Sequence, residues 1–131
     1  MALRLLDTNI ASYVFKGHSL AAKYQQHLLG HTLVVSFMTV AEMREGALRA
    51  NWSPKRIAKL DGFLQLYVWL HSDPDICRRW ADVRFERRLQ PIATDDAWIA
   101  ATALIHGADL VTHNPGDFNG ITGLSIISES P

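Results

Sequence analysis

Hydrophobic residues along the chain occur in two kinds of run, and the order of the runs predicts the fold. Short, nearly continuous apolar runs are typical of strands that are buried on both faces. They occupy residues 3–6, 33–37, 109–112 and 124–127. Longer runs with helical spacing cover residues 10–15, 20–29, 40–50, 54–70, 74–89 and 97–105. Because strands and helices alternate, we expect an α/β layer sandwich with a mainly parallel sheet.

Polar residues indicate where two of the predicted helices begin. Thr39 and Glu42 fit a capping box, in which Thr39 caps the helix and Glu42 reaches back from the third helical position. Thr94 is a candidate N-cap for the last, alanine-rich helix. Asp95 and Asp96 follow it, where carboxylates suit the positive end of the helix dipole. Both helices are therefore expected to start among polar side chains.

Acidic or amide side chains stand where predicted strands end or the next helices start. They are Asp7, Glu42, Asp96 and the pair Asn114 and Asp117. Because the carboxyl ends of parallel strands meet at one edge of a sheet, where ligands bind, we expect these side chains to lie close together. Hard cations such as Mg²⁺ and Mn²⁺ prefer oxygen ligands, and at a phosphodiester they activate water and stabilise developing charge. The pattern thus favours a metal-dependent phosphodiesterase.

Each of these acids also has a purely structural interpretation. Asp7 and Asp96 stand where caps and first-turn carboxylates stabilise helices by roughly 1 kcal/mol each, and Glu42 is half of the capping box. The two interpretations are compatible, since one residue can start a helix and face a metal. Asp95 competes with Asp96, because adjacent helical residues point roughly 100° apart and only one is expected to face the site. Glu45, one turn after Glu42, either leans toward the same site or lies on a solvated face, and we expect the solvated face.

Composition and charge narrow the class of protein. The 131 residues are 48% apolar, enough to bury the core of one domain, which we expect to span residues 1–131. Thirteen basic residues balance thirteen acidic ones, so nucleic acid would have to bind a local basic patch. Arg84, Arg87 and Arg88 share one side of their predicted helix, where they either contact RNA phosphates or form a solvated face.

Other features of the sequence exclude several functions. The single Cys77 rules out an internal disulfide and a cysteine-based zinc site, and it favours a reducing compartment. The sequence contains no zinc-hydrolase histidine motif, no glycine-rich dinucleotide motif and no Walker A motif. No apolar stretch approaches the roughly 18 residues that a membrane helix needs. We therefore expect a soluble, cytoplasmic protein.

Four segments together resemble one known family. They read LLDTNI, TVAEMREG, DDAWIAATAL and LVTHNPGDF, in that order, and they span most of the chain. In sequence and spacing they resemble the PIN-domain ribonucleases, and within these the VapC and FitB-like toxins of prokaryotic toxin–antitoxin pairs. The resemblance implies a three-layer α/β/α fold and an endoribonuclease that requires Mg²⁺ or Mn²⁺. It also implies a homodimer and a cognate antitoxin protein that covers the active-site groove.

The resemblance implies roles for individual residues. Asp7, Glu42 and Asp96 match the three acidic metal ligands of the family. At the fourth position many relatives have aspartate after the threonine that ends the strand, where this chain has Asn114. Asp117 stands where other members keep an acid before phenylalanine, so either residue is a candidate. The accessory residues, which we expect to orient water or ligands, are Thr8 and Thr112.

Two alternatives to an RNA-cleaving toxin stay open on the sequence. A PIN-like nuclease directed at DNA would use the same chemistry, although this small chain shows no clamp for branched duplexes. A non-catalytic module would use the acids only as helix caps and would bind an antitoxin or another partner through a metal-free surface. Cleavage that requires Mg²⁺ or Mn²⁺ would distinguish the enzyme from the module.

Overall fold

The computed structural model describes residues 2–131, which form one parallel five-stranded sheet with helices on both faces. The strands are β1 (Leu3–Leu6), β2 (Thr32–Ser36), β3 (Val68–Leu70), β4 (Asp109–Val111) and β5 (Ile126–Ile127). The α-helices are α1 (Thr8–Lys16), α2 (Ser19–Leu28), α3 (Phe37–Arg49), α4 (Pro54–Leu64), α5 (Pro74–Glu86) and α6 (Thr94–His106). The predicted three-layer α/β/α fold is therefore confirmed.

The continuous apolar strands supply both layers of the core. Adjacent residues of a strand point to opposite faces of the sheet, so a wholly apolar strand needs cover on both sides. On one face, Leu5 pairs in register with Val34 and Leu110, and all three pack with buried residues of α5 and α6. On the other face, Leu6 and Val111 pack with buried residues of α1, α2, α3 and α4.

The order of the strands creates a single switch point in the sheet. The order is β3-β2-β1-β4-β5, so the chain leaves β1 toward one edge and later returns to its other side with β4. Ligands of open α/β sheets bind outside the carboxyl ends of the strands at such a point. Here the ends of β1 and β4 are tied together, because the backbone N–H of Asp7 donates to the carbonyl of Val111 at 2.9 Å.

Strand β3 corrects the prediction of one helix over residues 54–70. Helix α4 ends at Leu64, and Val68 pairs with Val34 at the edge of the sheet. The indole N–H of Trp69 donates to the carbonyl of Leu64 at 2.8 Å, which fixes the turn between the two elements. The apolar spacing of this segment suits a helix, but its aromatic and β-branched residues also suit an edge strand, and pairing with β2 decides between them.

The predicted capping box at the start of α3 is wrong. The hydroxyl of Ser36 caps this helix by accepting a hydrogen bond from the N–H of Met38 at 3.1 Å. Thr39 therefore lies buried inside the first turn, and Glu42 does not reach back to it. Thr94 is likewise the first residue of α6 and not its cap, a position that Ala93 occupies.

Within residues 2–131, no helix is long and apolar enough to cross a membrane.

Candidate active site

Asp7 lies at the switch point and is fixed by hydrogen bonds to both of its carboxylate oxygens. It follows β1 and is the N-cap of α1, where its Oδ1 accepts from the N–H of Thr8 at 2.8 Å. Its Oδ2 accepts from the hydroxyl of Thr112, which follows β4, at 2.8 Å. Burial raises the pKa of Asp7 although both hydrogen bonds oppose that shift. Asp7 is thus a helix cap that is also a buried carboxylate with a disfavoured charge.

Glu42 is held beside Asp7 by a chain of two threonines. The hydroxyl of Thr8 donates to Oε1 of Glu42 at 2.7 Å, and its oxygen lies 2.9 Å from the hydroxyl of Thr39. Because Thr8 has one hydroxyl proton and uses it on Glu42, Thr39 must be the donor in the second bond. Thr39, which the sequence predicted to be a helix cap, therefore connects α3 to the start of α1 through its hydrogen bond with Thr8.

The first turn of α6 brings two carboxylates into this cluster. Asp96 lines the cleft with Asp7, while Asp95 hydrogen-bonds with Glu42. Of the two aspartates only Asp96 lines the cleft, as the sequence predicts. The roughly 100° between adjacent helical residues points Asp95 away from the cleft lining and toward the carboxylate of Glu42.

Asn114 and Asp117 complete the cluster from the loop after β4. Both side chains are in the lining of the cleft, so the structure brings both candidates for the fourth position to the site. The N–H of Asn114 donates to the Thr112 hydroxyl at 3.1 Å, and Asp117 lies in a 3-10 turn over Pro115–Phe118. One threonine thus links the loop and Asp7.

Burial and neighbouring negative charge raise the pKa values of Glu42 and Asp96. Burial raises the pKa of Glu42 to about 7, the hydrogen bond with Asp95 and nearby negative charges add to the shift, and the Thr8 hydroxyl opposes it. Burial also raises the pKa of Asp96 to about 7, with Asp7 the largest electrostatic contributor. Because these half-buried carboxylates share one site, ionising all of them at once is unfavourable.

The predicted arginine surface is not a free phosphate-binding face. Arg87 is 7% exposed, and its guanidinium donates to the carbonyls of Gln90, Asp117 and Asn119 at 2.8, 3.2 and 2.8 Å. Arg84 donates to the carbonyl of Ile92. The chain turns back after α5, so its carbonyls approach this side of the helix and use the guanidinium donors. The remaining member, Arg88, is exposed and donates to the carbonyl of Phe85.

The cleft between these elements has a volume of about 570 Å³. Besides the residues expected from the sequence, it is lined by Asn9, Lys16, Trp52 and Arg56. Sequence reasoning missed all four. Asn9 carried a usable signal, because it directly follows Asp7 and Thr8 at the end of β1. The other three come from the end of α1, a loop and the first turn of α4, and only the tertiary fold brings them to the site.

The donor set fits a hard divalent cation. Carboxylate and amide oxygens are the ligands that Mg²⁺ and Mn²⁺ prefer, and the raised pKa values show that positive charge would be favourable here. Oδ1 of Asn9 is buried without a hydrogen-bond partner among residues 2–131, so the site also has an unused acceptor. No three His, Cys, Asp or Glu side chains in that range form a ready ligand set. Mg²⁺ does not need one, because it commonly uses one or two carboxylates and keeps several waters.

A parallel sheet in this strand order, with carboxylates gathered at its switch point, matches a known class of domain. The PIN domain family model matches residues 4–123. The chain is 34% identical over 125 residues to ribonuclease VapC1 of Haemophilus influenzae strain R2866, which covers 92% of each chain. The chain therefore belongs to the PIN-domain family and, within it, to the VapC group, as its sequence motifs predicted.

Further relatives and solved structures are consistent with this assignment. The tRNA(fMet)-specific endonuclease VapC of Shigella flexneri is 26% identical over 122 residues, which cover 92% of each chain. VapBC2 from Rickettsia felis, bound to a DNA fragment from its promoter, aligns with a TM-score of 0.84 at 25% identity, over 96% of this chain and 98% of that one. VapBC-1 from nontypeable Haemophilus influenzae aligns with a TM-score of 0.79 at 32% identity, over 96% and 97%.

Proposed function

We propose that this protein is an endoribonuclease that depends on Mg²⁺ or Mn²⁺ and acts as the toxin of a toxin–antitoxin pair. The observation that carries the proposal is the placement of Asp7, Glu42 and Asp96 around one cleft at the carboxyl ends of β1 and β4. Asn114 and Asp117 face the same cleft. Membership of the VapC group, which includes proteins named as ribonucleases, supports RNA as the substrate.

The metal would be held by Asp7, Glu42 and Asp96, with Asp117 or Asn114 in support. When bound, it would supply activation of water and stabilisation of the negative charge that develops on the phosphate. Thr112 and the N–H of Thr8 fix the two Asp7 oxygens, so this ligand is oriented before substrate arrives. The Thr8 hydroxyl donates to Oε1 of Glu42 and so fixes the orientation of this carboxylate.

The proposed partners follow from what the relatives assemble with. The solved VapBC structures from Rickettsia felis and Haemophilus influenzae are similar to this chain over nearly its whole length, and the Klebsiella pneumoniae relative is a toxin–antitoxin complex. We therefore propose a cognate antitoxin as a partner. The resemblance to the family adds the proposals that the antitoxin covers the acidic cleft and that the toxin forms a homodimer. The name of the Shigella flexneri relative makes initiator tRNA a defined RNA to test alongside total RNA.

The test is cleavage of total RNA and of initiator tRNA by the wild type and by Asp7→Asn, Glu42→Gln and Asp96→Asn. Each protein is assayed with Mg²⁺, Mn²⁺ or EDTA. We expect the wild type to cut only with a metal and each variant to lose about a hundredfold or more in rate, the size of effect seen when one preorganised electrostatic group is removed. Asparagine caps helices about as well as aspartate, so Asp7→Asn keeps the cap of α1, and all three substitutions remove a carboxylate charge with little change of shape.

Melting curves of the same proteins provide the control for folding. Variants that keep the wild-type melting temperature and lose metal-dependent cleavage support the nuclease. Amide variants that cut as fast as the wild type, or a wild type that cuts no RNA with either metal, would contradict it. If the wild type cuts no RNA, the same proteins are tested on single-stranded and duplex DNA. Metal-dependent cleavage of DNA would identify a DNA-directed nuclease. A chain that is inert on both polymers would be a partner-binding module.

A further inference from the structure

The cleft that contains the carboxylates also has a basic end. Lys16, the last residue of α1, and Arg56, in the first turns of α4, line the same 570 Å³ cleft as Asp7 and Asp96. Trp52 lies between the two helices and lines the cleft with them. One concave surface thus carries negative charge where the strands end and positive charge where α1 ends and α4 begins.

The guanidinium of Arg56 lies over an aromatic ring. Its central carbon lies 3.8 Å from the centre of the Trp52 ring, well within the range of a cation–π contact. Trp52 in turn stacks with Phe15, with ring centres 5.7 Å apart and planes inclined by 29°. The ammonium of Lys16 lies 5.9 Å from the same Trp52 ring. Packing therefore orients the arginine without occupying its N–H donors.

The charges at this end are not neutralised by neighbouring acids. Within residues 2–131, none of the ion pairs includes Lys16 or Arg56. Asp61, the acidic residue of α4, is bridged to Arg44 at 2.9 Å. The start of α4 also carries the positive end of its helix dipole. An anion that reached this end of the cleft would find unpaired cationic donors.

The basic surface continues beyond the cleft. A second depression of about 430 Å³ shares Lys16 and Arg56 with the cleft and adds Lys55 and Lys59. These four residues form a local basic patch on a chain whose thirteen basic and thirteen acidic residues balance. A neutral protein that binds a polyanion requires such a patch, because it has no long-range field to attract one.

We propose that Lys16 and Arg56 clamp the phosphates of an unpaired RNA segment next to the scissile phosphate, and that the strand leaves the cleft over Lys55 and Lys59. This inference rests on the proposed ribonuclease function. Arg56 would bind phosphate through its fixed N–H fork, and Lys16 would bind as a mobile point charge. A cleft of about 570 Å³ is the size of a small-ligand site, which suits an extruded single strand better than a duplex.

RNA fits this surface better than an acidic peptide does. A peptide that carried carboxylates into the cleft would meet Asp7, Glu42 and Asp96 at the other end, where negative charge is already disfavoured. An RNA strand brings phosphates at intervals along a flexible chain. One of these could lie at the carboxylates with a metal, while its neighbours lie at the cations. The two ends of the cleft therefore suit different phosphates of the same strand.

The experiment measures RNA binding separately from cleavage. A labelled, unstructured oligoribonucleotide is titrated in EDTA with the wild type, Lys16→Gln, Arg56→Gln and the double variant. Lys23→Gln is the matched control, because Lys23 is an exposed lysine of α2 outside the cleft and the basic patch. We expect the double variant to bind about tenfold or more weakly. Its slope of log affinity against log salt should fall by about 0.7 for each lost phosphate contact.

Arg56→Lys distinguishes a positioned fork from simple charge. It keeps the positive charge and loses the planar group that stacks on Trp52, so we expect affinity between that of the wild type and that of Arg56→Gln. Melting curves in EDTA and with Mn²⁺ should be the same for all these proteins, since the substituted side chains are exposed and lie outside the carboxylate cluster. A shared melting temperature excludes misfolding as the cause of weaker binding.

The outcomes separate this inference from the proposed function. RNA binding that depends on Lys16 and Arg56 supports the clamp even if the wild type proves unable to cut RNA, which would contradict only the nuclease. A wild type that cuts RNA, with a double variant that binds and cuts like Lys23→Gln, would overturn the clamp and leave the nuclease standing. A double variant that keeps RNA affinity but no longer binds a polyglutamate peptide would show a protein-docking surface and would also overturn it.

Discussion

The two ends of the cleft carry opposite charge and are built in different ways. The acidic end is assembled from strand ends and helix starts, and Asp7 and Glu42 are each fixed by short hydrogen bonds from threonines. The basic end is exposed, and Arg56 is oriented only by stacking on Trp52. Groups that must place a metal need defined positions, whereas groups that attract a polyanion need mainly charge and access. The hydrogen bonds that fix side chains in the cleft therefore lie at the acidic end.

The carboxylates of the acidic end make the stability of the fold depend on pH. Glu42 and Asp96 are half-buried among other carboxylates, and their pKa values rise to about 7 from 4.5 and 3.8. Between about pH 4 and 7 the folded protein therefore binds more protons at these groups than the unfolded chain does. Their contribution to stability is largest below pH 4 and is lost as the pH rises toward 7. The acidic end destabilises the metal-free protein at neutral pH, and a divalent cation should relieve this.

The largest effect we predict is stabilisation by metal that depends on pH. At pH 8, Mn²⁺ at about a hundred times its dissociation constant should stabilise the fold by about 2.7 kcal/mol, which raises the melting temperature by roughly 10 °C. At pH 5.5, protons compete for the same carboxylates and the shift should be much smaller. The measurement is a series of melting curves at the two pH values with EDTA or Mn²⁺.

The double variant Glu42→Gln/Asp96→Asn is the control for this series. It removes the two groups whose pKa values reach about 7, so its metal-free stability should fall less than that of the wild type between pH 5.5 and pH 8. It should also lose most of the stabilisation by Mn²⁺. A wild type whose melting temperature responds equally to Mn²⁺ at both pH values would show that the carboxylate cluster is not where the metal binds.

A smaller effect is expected from substitution of Arg87, which holds the loop around Asp117 at the acidic end and is not expected to contact RNA. Arg87→Met removes the bonds to the carbonyls of Asp117 and Asn119 and leaves an apolar side chain of similar length. Since hydrogen bonds to charged groups contribute about 1.5–3 kcal/mol, we expect a loss of about 2 kcal/mol in the free energy of unfolding, measured with urea. RNA binding in EDTA should not change. A variant that is as stable as the wild type but binds RNA more weakly would show that Arg87 contacts RNA phosphates.

Much of the fold and of the acidic end could be predicted from sequence because the signals are local. Leu5 and Val34 belong to continuous apolar runs that only a doubly covered strand explains. Asp7 and Asp96 stand directly at a strand end and a helix start, and topology rules bring such places to one edge of a sheet. The motif resemblance added the expected role of each acid.

The remaining features depend on contacts that local sequence does not encode. Val68 becomes a strand residue because it pairs with Val34, and Thr39 becomes a hydrogen-bond donor because α1 places Thr8 beside it. Arg87 is buried because the chain returns over α5. The basic end was missed for the same reason, since Lys16 and Arg56 are forty positions apart and each one alone resembles an ordinary surface charge.

The smallest effect we predict is for Glu45, which is close to the acidic end of the cleft but does not line it. Glu45 lies one turn after Glu42 on α3, but its carboxylate is 65% exposed and lies 3.5 Å from Arg49 in an i,i+4 pair. Glu45→Gln should therefore change the free energy of unfolding by less than about 0.5 kcal/mol and leave cleavage and the response to Mn²⁺ unchanged. Glu42→Gln is the same chemical change three positions earlier and should lower the rate of cleavage by about a hundredfold or more. Equal losses in the two variants would mean that negative charge along the whole face of α3, and not the hydrogen-bonded position of Glu42, is what the site requires.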